Sequence, residues 1–427
     1  MKRVTLPARG EWKALCARPE GVEATAMERV TPMMADIQQR GDEAVRQYTR
    51  QFDGHDLEHF AVTPEAMQGA GAQLSDALKE AIDTAATNIR RFHQAQQREE
   101  LRLETQPGIQ CRRRAVPIGS VGLYVPGGSA PLFSSVLMLA IPAAIAGCRE
   151  IILCSPPQPD GQLHPAVLWT AWRCGVQRAF RVGGAQAIAA MTYGTASIPK
   201  VDKLFGPGNS YVTAAKTLAQ REGVAIDMPA GPSEVLVIAD DSADPAFVAA
   251  DLLAQAEHGP DSQVILLTDS ATLLEQSLAE VERQLESLPR NEIARAALQH
   301  SLAVQLPSME EAVAFSNLYA PEHLILICRE LEKVADQITD AGSVFMGPYT
   351  PEALGDYASG TNHTLPTAGH ARAYSGVSLD SFMKYITFQE ATAEGLHQLG
   401  PVVEAMAEAE QLIAHQRSVS IRLSRSE

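Results

Sequence analysis

The chain has 427 residues, a formal net charge of −16 at pH 7, and 45% hydrophobic against 20% charged residues. That length is enough for two or more domains with buried cores, and the composition is that of a soluble globular protein. The acidic balance argues against a nucleic-acid or anionic-membrane surface, since both need clustered Lys and Arg.

Met1-Lys2-Arg3-Val4-Thr5-Leu6-Pro7 carries positive charge with no apolar stretch behind it, so no signal peptide is expected. Residues 21 to about 100 are polar and rich in helix formers, with heptad-like spacing of Val30, Met33, Met34 and Ile37. A second helix is predicted from Pro64 through Ile89, with Thr63 as its N-cap. Arg112-Arg113-Arg114 is the only short basic run and reads as a solvated stretch or a source of local salt bridges. Cys16, Cys111, Cys148, Cys154, Cys174 and Cys328 are scattered without a CxxC pair, which points to reduced thiols and a cytoplasmic location. The longest apolar run, Val136 to Ala146, contains Pro142 and falls short of the roughly 20 residues of a membrane span.

From Val121 the texture becomes strand, Gly-rich loop, helix, strand. Val121–Val125 ends in Pro126-Gly127-Gly128, a helix runs from about Phe133 to Ala146, and Glu150–Cys154 follows as a parallel partner. Further units are predicted at Ala179–Val182 with a helix over Gln186–Met191, and at Glu234–Ala239. After the latter, Asp244 caps a helix with Pro245 at its first position; the helix runs to His258, and strand Gln263–Thr268 follows. Ligands in such sheets collect at strand carboxyl ends and helix termini, which is where His258 falls. A polar helix from about Val402 to Gln416 and a closing strand Val419–Leu423 are expected at the end, with a narrow apolar face suited to a partner.

Three stretches carry chemistry. Gln255 and His258 share one helix face, and an amide oxygen with an imidazole can bind one cation if other ligands join them. Asp356 and His415 are the candidates to add; His363 and His370 compete for the same role, and spacing does not separate them. The bland alternative for His258 is a helix C-terminal residue facing the dipole. Glu322 and His323 follow Pro321, and an imidazole beside a carboxylate suits removal of an alcohol proton and activation of water. Cys111, next to the basic run, is the rival as a thiol nucleophile in aldehyde oxidation. There is no GxGxxG, but Val125-Pro126-Gly127-Gly128 and Gly206-Pro207-Gly208-Asn209 are Gly-rich loops after strands that can approach a pyrophosphate.

Together, Leu123 to Gly128, Gly183-Gly184-Ala185-Gln186-Ala187-Ile188-Ala189-Ala190, Phe205 to Asn209, Ala230-Gly231-Pro232-Ser233-Glu234, Gln255 to Pro260, Ala320 to Leu324 and Gly355 to His363 resemble the histidinol dehydrogenases. The resemblance implies zinc, one per subunit, on Gln255, His258, Asp356 and His415, the last from the other subunit of an intertwined homodimer. It implies Glu322 and His323 as proton-transfer residues, and NAD contacts from Tyr124, Gln186 and Asn209. Substrate contacts are implied for Ser233, Gln255, His258, His323, Asp356, Glu410 and His415. The implied reaction takes L-histidinol through L-histidinal to L-histidine with two NAD, with a dehydrogenase of another small polar alcohol as the alternative. A non-catalytic metal-binding protein is the rival from another class; it has no use for the Glu322-His323 pair. The expected architecture is α/β: two Rossmann-like parallel-sheet domains with helical extensions at both ends. Residues 1–20 form an N-terminal extension, 21–123 with 234–377 the first domain, 124–233 the second, and 378–427 a tail completing the partner's site.

Overall fold

The structure, a computed structural model, describes residues 1–18, 23–127, 131–229 and 231–425. Gly128 and Ala230 of the quoted motifs lie outside the described residues. The apolar runs assemble into two six-stranded sheets. In one, all neighbours are parallel, in the edge-to-edge order Lys2–Thr5, Leu302–Gln305, Gln263–Thr268, Glu234–Ala239, His323–Ile327, Ser343–Met346. In the other the order is Ala61–Val62, Arg178–Arg181, Glu150–Ser155, Ser120–Tyr124, Lys203–Phe205, Ala225–Ile226, and only the first pair is antiparallel.

Each sheet has a core on both faces, which explains why its strands read as unbroken apolar runs. Val121, Leu123, Ile151 and Leu153 enter one core, while Tyr124, Ile152 and Cys154 enter the core opposite. Val235 and Val237 likewise oppose Leu236 and Ile238. The helix Glu23–Arg40 buries the predicted stripe of Val30, Met33, Met34 and Ile37 in the second sheet's core. The helix Pro245–Ala256 is capped by Asp244, whose carboxylate accepts from the Ala246 N–H at 2.8 Å. It stops at Ala256, so Gln255 lies in its last turn and His258 just beyond it.

The chain divides into two compact units. The first, Met1–Gln96 with Ile118–Phe382, contains both six-stranded sheets. The second, Gln97–Pro117 with Met383–Glu427, has a three-stranded antiparallel sheet with Ile109–Pro117 at its centre. There Arg112 and Arg114 lie over the Phe388 ring and Arg113 over Tyr385 at 4.1 Å, so the basic run is spent on local aromatic contacts.

Three expected elements differ. The helix expected over about Val402–Gln416 is split between Ala393–Ala409 and Ile413–Leu423, with Gln411 at φ 61° between them, and the closing strand Val419–Leu423 is instead helical, within the second of these. Its alternation carries β-propensity, but Val419 and Leu423 close on Gly400 of the preceding helix, where a Cβ would lie 3.0–3.1 Å from them, and packing overrides propensity. The single helix expected over Pro64–Ile89 is two, Pro64–Gly69 and Asp76–Gln94, joined by a short 3-10 turn. Gly71 lies against Trp169, with a Cβ position only 2.4 Å from the ring, and Ser75 restarts the helix by accepting from the Leu78 N–H at 3.2 Å. Ser75→Ala should therefore cost about 1 kcal/mol in urea unfolding with an unchanged denaturant slope; no loss would show that the restart does not depend on this cap.

Candidate active site

Register places Glu322 and His323. Strand Glu234–Ala239 lies beside His323–Ile327 with Val235 opposite His323, so Glu234 and Glu322 meet one residue earlier. The Glu234 N–H donates to Glu322 Oε2 at 2.9 Å, and His323 Nδ1 lies 3.2 Å from the Glu234 carbonyl oxygen. A carbonyl only accepts, so Nδ1 carries the hydrogen and Nε2 keeps its lone pair. Both side chains are buried. The approach is tight: Ala320, just before Pro321, has φ 54°, and a Cβ on Gly342 would lie 2.5 Å from the Glu322 carbonyl oxygen.

The sequence rule located ligands at strand carboxyl ends. Here Glu322 and His323 sit at the amino ends of the first sheet's strands, whereas Tyr124 and Gly206 sit at the carboxyl ends of the second sheet's. Glu322 and Gly206 line one cavity, together with Pro207, Ser233, His363 and Thr367 among others.

The ligand atoms of His323, Glu352 and Asp356 all lie within 4.8 Å of one another. Asp356 Oδ1 is 3.7 Å from His323 Nε2, and Glu352 Oε1 and Glu322 Oε2 are each 3.7 Å from Nδ1. Glu352 escaped the sequence reading. Its signal is the Glu352-x-x-x-Asp356 spacing, which puts both carboxylates on one face of the helix Glu352–Tyr357. Burial, then the charges of Asp356 and Glu322, hold Glu352 well above the usual carboxylate range. Burial and the nearby Glu234 and Asp356 do the same to Glu322, and burial pushes Asp356 up to about 7. Burial pulls His323 down to about 3, so its imidazole is neutral.

Gln255 is fully buried; its Nε2 meets His258 Nδ1 at 2.9 Å, while its Oε1 has no hydrogen-bond partner. The helix carrying it packs on the helix of Glu352 and Asp356, and His258 is close enough to depress His323 and His363 electrostatically. The orphaned Gln255 oxygen, the His258 imidazole and the half-buried Asp356 carboxylate are donor types that zinc accepts, and Asp356 is also the member they share with the close group of His323, Glu352 and Asp356. Of the two competing imidazoles, His363 is brought to the site, its Nδ1 2.8 Å from the Asp356 carbonyl oxygen. His370 instead packs edge-on against Tyr374.

Tyr124 is buried at a strand end, where its hydroxyl accepts from the Gly184 N–H at 3.1 Å. Gln186 Nε2 donates to Asp53 Oδ2 at 3.1 Å, and the Asn209 side chain caps the helix Ser210–Arg221. Gly206 has φ 127°, and a Cβ there would lie 2.0 Å from the Tyr124 carbonyl oxygen, so only glycine fits. A buried Lys216–Asp227 pair grips this residue, Lys216 donating to its carbonyl at 2.9 Å and Asp227 accepting its N–H at 2.8 Å. No spacing in the sequence announces that clamp. Glu410 and His415 belong to the second unit and are exposed there. Cys111 lies in the strand Ile109–Pro117 of that unit, and burial pushes the Cys148 thiol up to about 11.

The family model described as histidinol dehydrogenase matches residues 16–423. A histidinol dehydrogenase of Bacteroides thetaiotaomicron is 52% identical over 99% of each chain. Another, of Xylella fastidiosa, is 53% identical over 96% of each. A crystal structure of histidinol dehydrogenase from Elizabethkingia anophelis superposes with a TM-score of 0.96 at 54% identity, covering 100% of this chain and 98% of the other.

One acid of this region makes pH a probe of the fold. Burial raises Asp251, on the same helix as Gln255, from 3.8 to about 7. Between about pH 4 and 7 the folded chain keeps a proton that the unfolded chain has released. Stability therefore falls as pH rises through that window, by at most about 4 kcal/mol, and this contribution is flat above it. Asp251→Asn should lose less stability than the parent between pH 5 and 8, read from urea midpoints; an identical pH dependence would mean that Asp251 ionises freely in the fold.

Proposed function

The chain belongs to the histidinol dehydrogenase family, and from that premise we propose how its residues carry the oxidation of L-histidinol to L-histidine. Two NAD accept the four electrons, one for alcohol to aldehyde and one for hydrated aldehyde to acid. The observation that carries this reading is the buried, neutral His323, its Nδ1 held by the Glu234 carbonyl and its Nε2 left without a hydrogen-bond partner.

His323 Nε2 takes the hydroxyl proton as hydride leaves the carbinol carbon for the nicotinamide. Glu322 lies beside it, held by the Glu234 N–H, and takes a proton from the water that adds to the aldehyde. Gln255, His258 and Asp356, with His415 from a partner subunit, would hold zinc; Asp356 and the orphaned Gln255 oxygen support this set. When bound, zinc supplies positive charge that pulls the surrounding acids toward their ionised forms and orients the substrate imidazole and amine. Ser233 faces the same cavity as Glu322 and contacts the substrate, and Glu410 pairs with its ammonium. Tyr124, Gln186 and Asn209 receive NAD near the Gly206 turn, in the manner of a Rossmann-like domain. The donor set's need for His415 supports an intertwined homodimer. No helix among the described residues is long and apolar enough to cross a membrane, and the scattered thiols support a cytoplasmic enzyme.

Purified, zinc-loaded enzyme should form two NADH per L-histidinol consumed, with histidine as product. No NADH from histidinol in folded protein would favour another small polar alcohol. His323→Ala should lower hydride transfer on the order of 10²–10⁴-fold with zinc content unchanged; loss of zinc instead would make His323 a ligand rather than a base.

A further inference from the structure

The residue whose backbone holds both proton-transfer groups has an unusual anchor. Glu234 is buried, at 3% exposure, and its carboxylate is gripped by the guanidinium of Arg18 in a two-pronged pair. Arg18 Nη2 reaches Glu234 Oε2 at 2.9 Å and also donates to the Tyr319 carbonyl at 2.9 Å, and the guanidinium lies 4.0 Å from the Tyr319 ring centroid. The Ala368 N–H adds a third donor to the carboxylate at 3.0 Å. A planar, forked, stacked cation is what Arg provides and Lys does not.

Such a pair is a costly way to gain stability, since both ions are taken out of water. Its position gives it a different use. The carboxylate fixes residue 234 at the start of its strand, the N–H of that residue fixes Glu322, and its carbonyl fixes the hydrogen on His323 Nδ1. A shift of the carbonyl would free His323 to take the other tautomer, whose Nε2 carries a hydrogen and cannot accept a proton. We infer that Arg18, acting through Glu234, is a positioning residue of the oxidation: it sets the tautomer of His323 and the placement of Glu322. The inference rests on the roles given to His323 and Glu322 above.

The test compares Arg18→Met, Arg18→Lys, Glu234→Gln, the Arg18→Met/Glu234→Gln double variant and His323→Ala in zinc-loaded enzyme. Each is assayed for kcat, KM for histidinol and NAD, and bound zinc. Arg18→Met should lower kcat on the order of 10²-fold while both KM values stay within about twofold and zinc stays full. Arg18→Lys should recover only part of the loss, because one ammonium replaces two parallel N–H contacts. The double variant should be little worse than either single one, as expected for residues acting as a unit. Unchanged kcat in Arg18→Met, with His323→Ala inactive, overturns the inference and leaves the assignment of the base standing. A loss confined to zinc content or to KM also overturns it, since that is what a merely structural pair would give. Should Arg18→Met not fold, Arg18→Lys and Glu234→Gln decide: parental kcat in both refutes the positioning role. Retained activity in His323→Ala would sink the base assignment and this inference together.

Discussion

Like charge in a dry place is the constraint on which the site depends. Asp251, Glu322, Glu352 and Asp356 are held where water is scarce, and several of them raise one another's proton affinity. Isolated ionised carboxylates in such a region are costly by several kcal/mol each, so protons or a cation must balance them. The imidazole of His323 is driven neutral by the same burial. A neutral nitrogen base beside acids that a divalent ion would ionise is suited to removing an alcohol proton and then handling water.

The scaffold brings these groups together by strand register. Parallel pairing fixes residue 234 against residues 322 and 323, and Gly342 lets the next strand close on the Glu322 carbonyl. At the far side of the cavity, Gly206 presses on the Tyr124 backbone and is held from both ends by the buried Lys216–Asp227 pair. The two halves of the cavity thus come from opposite strand ends of different sheets. That arrangement turns the Gly206 loop of one sheet and Glu322 of the other toward the same space.

Much of this was legible along the chain. The strand Glu234–Ala239, its following cap at Asp244 and the strand Gln263–Thr268 were legible because a buried parallel strand and a capped helix each leave a local mark. Glu322, His323, Gln255, His258 and Asp356 stood out within short motifs, and the fold sets His323 beside Glu322 and Asp356 and Gln255 beside His258. Glu352 was not, because it is an ordinary Glu until burial places it against Asp356 and His323. Arg18 and Lys216 were equally silent, since each earns its meaning from a carboxylate that is distant or unremarkable in sequence. The helix break at Ser75 and the helical tail were missed where contacts with Trp169 and Gly400 outweighed local preference.

The sequence by itself determined the α/β class, most strands, the family and the residue types available for zinc, hydride and proton chemistry. Tertiary structure alone decided that His363 rather than His370 approaches Asp356, that Glu352 joins the cluster, and that Glu322 and His323 lie at strand amino ends. The reason is range: propensity, capping and periodicity act over a few residues and are written locally. Burial, hydrogen-bond tautomers and the crowding of charge depend on which distant segments meet, and only the folded chain fixes that.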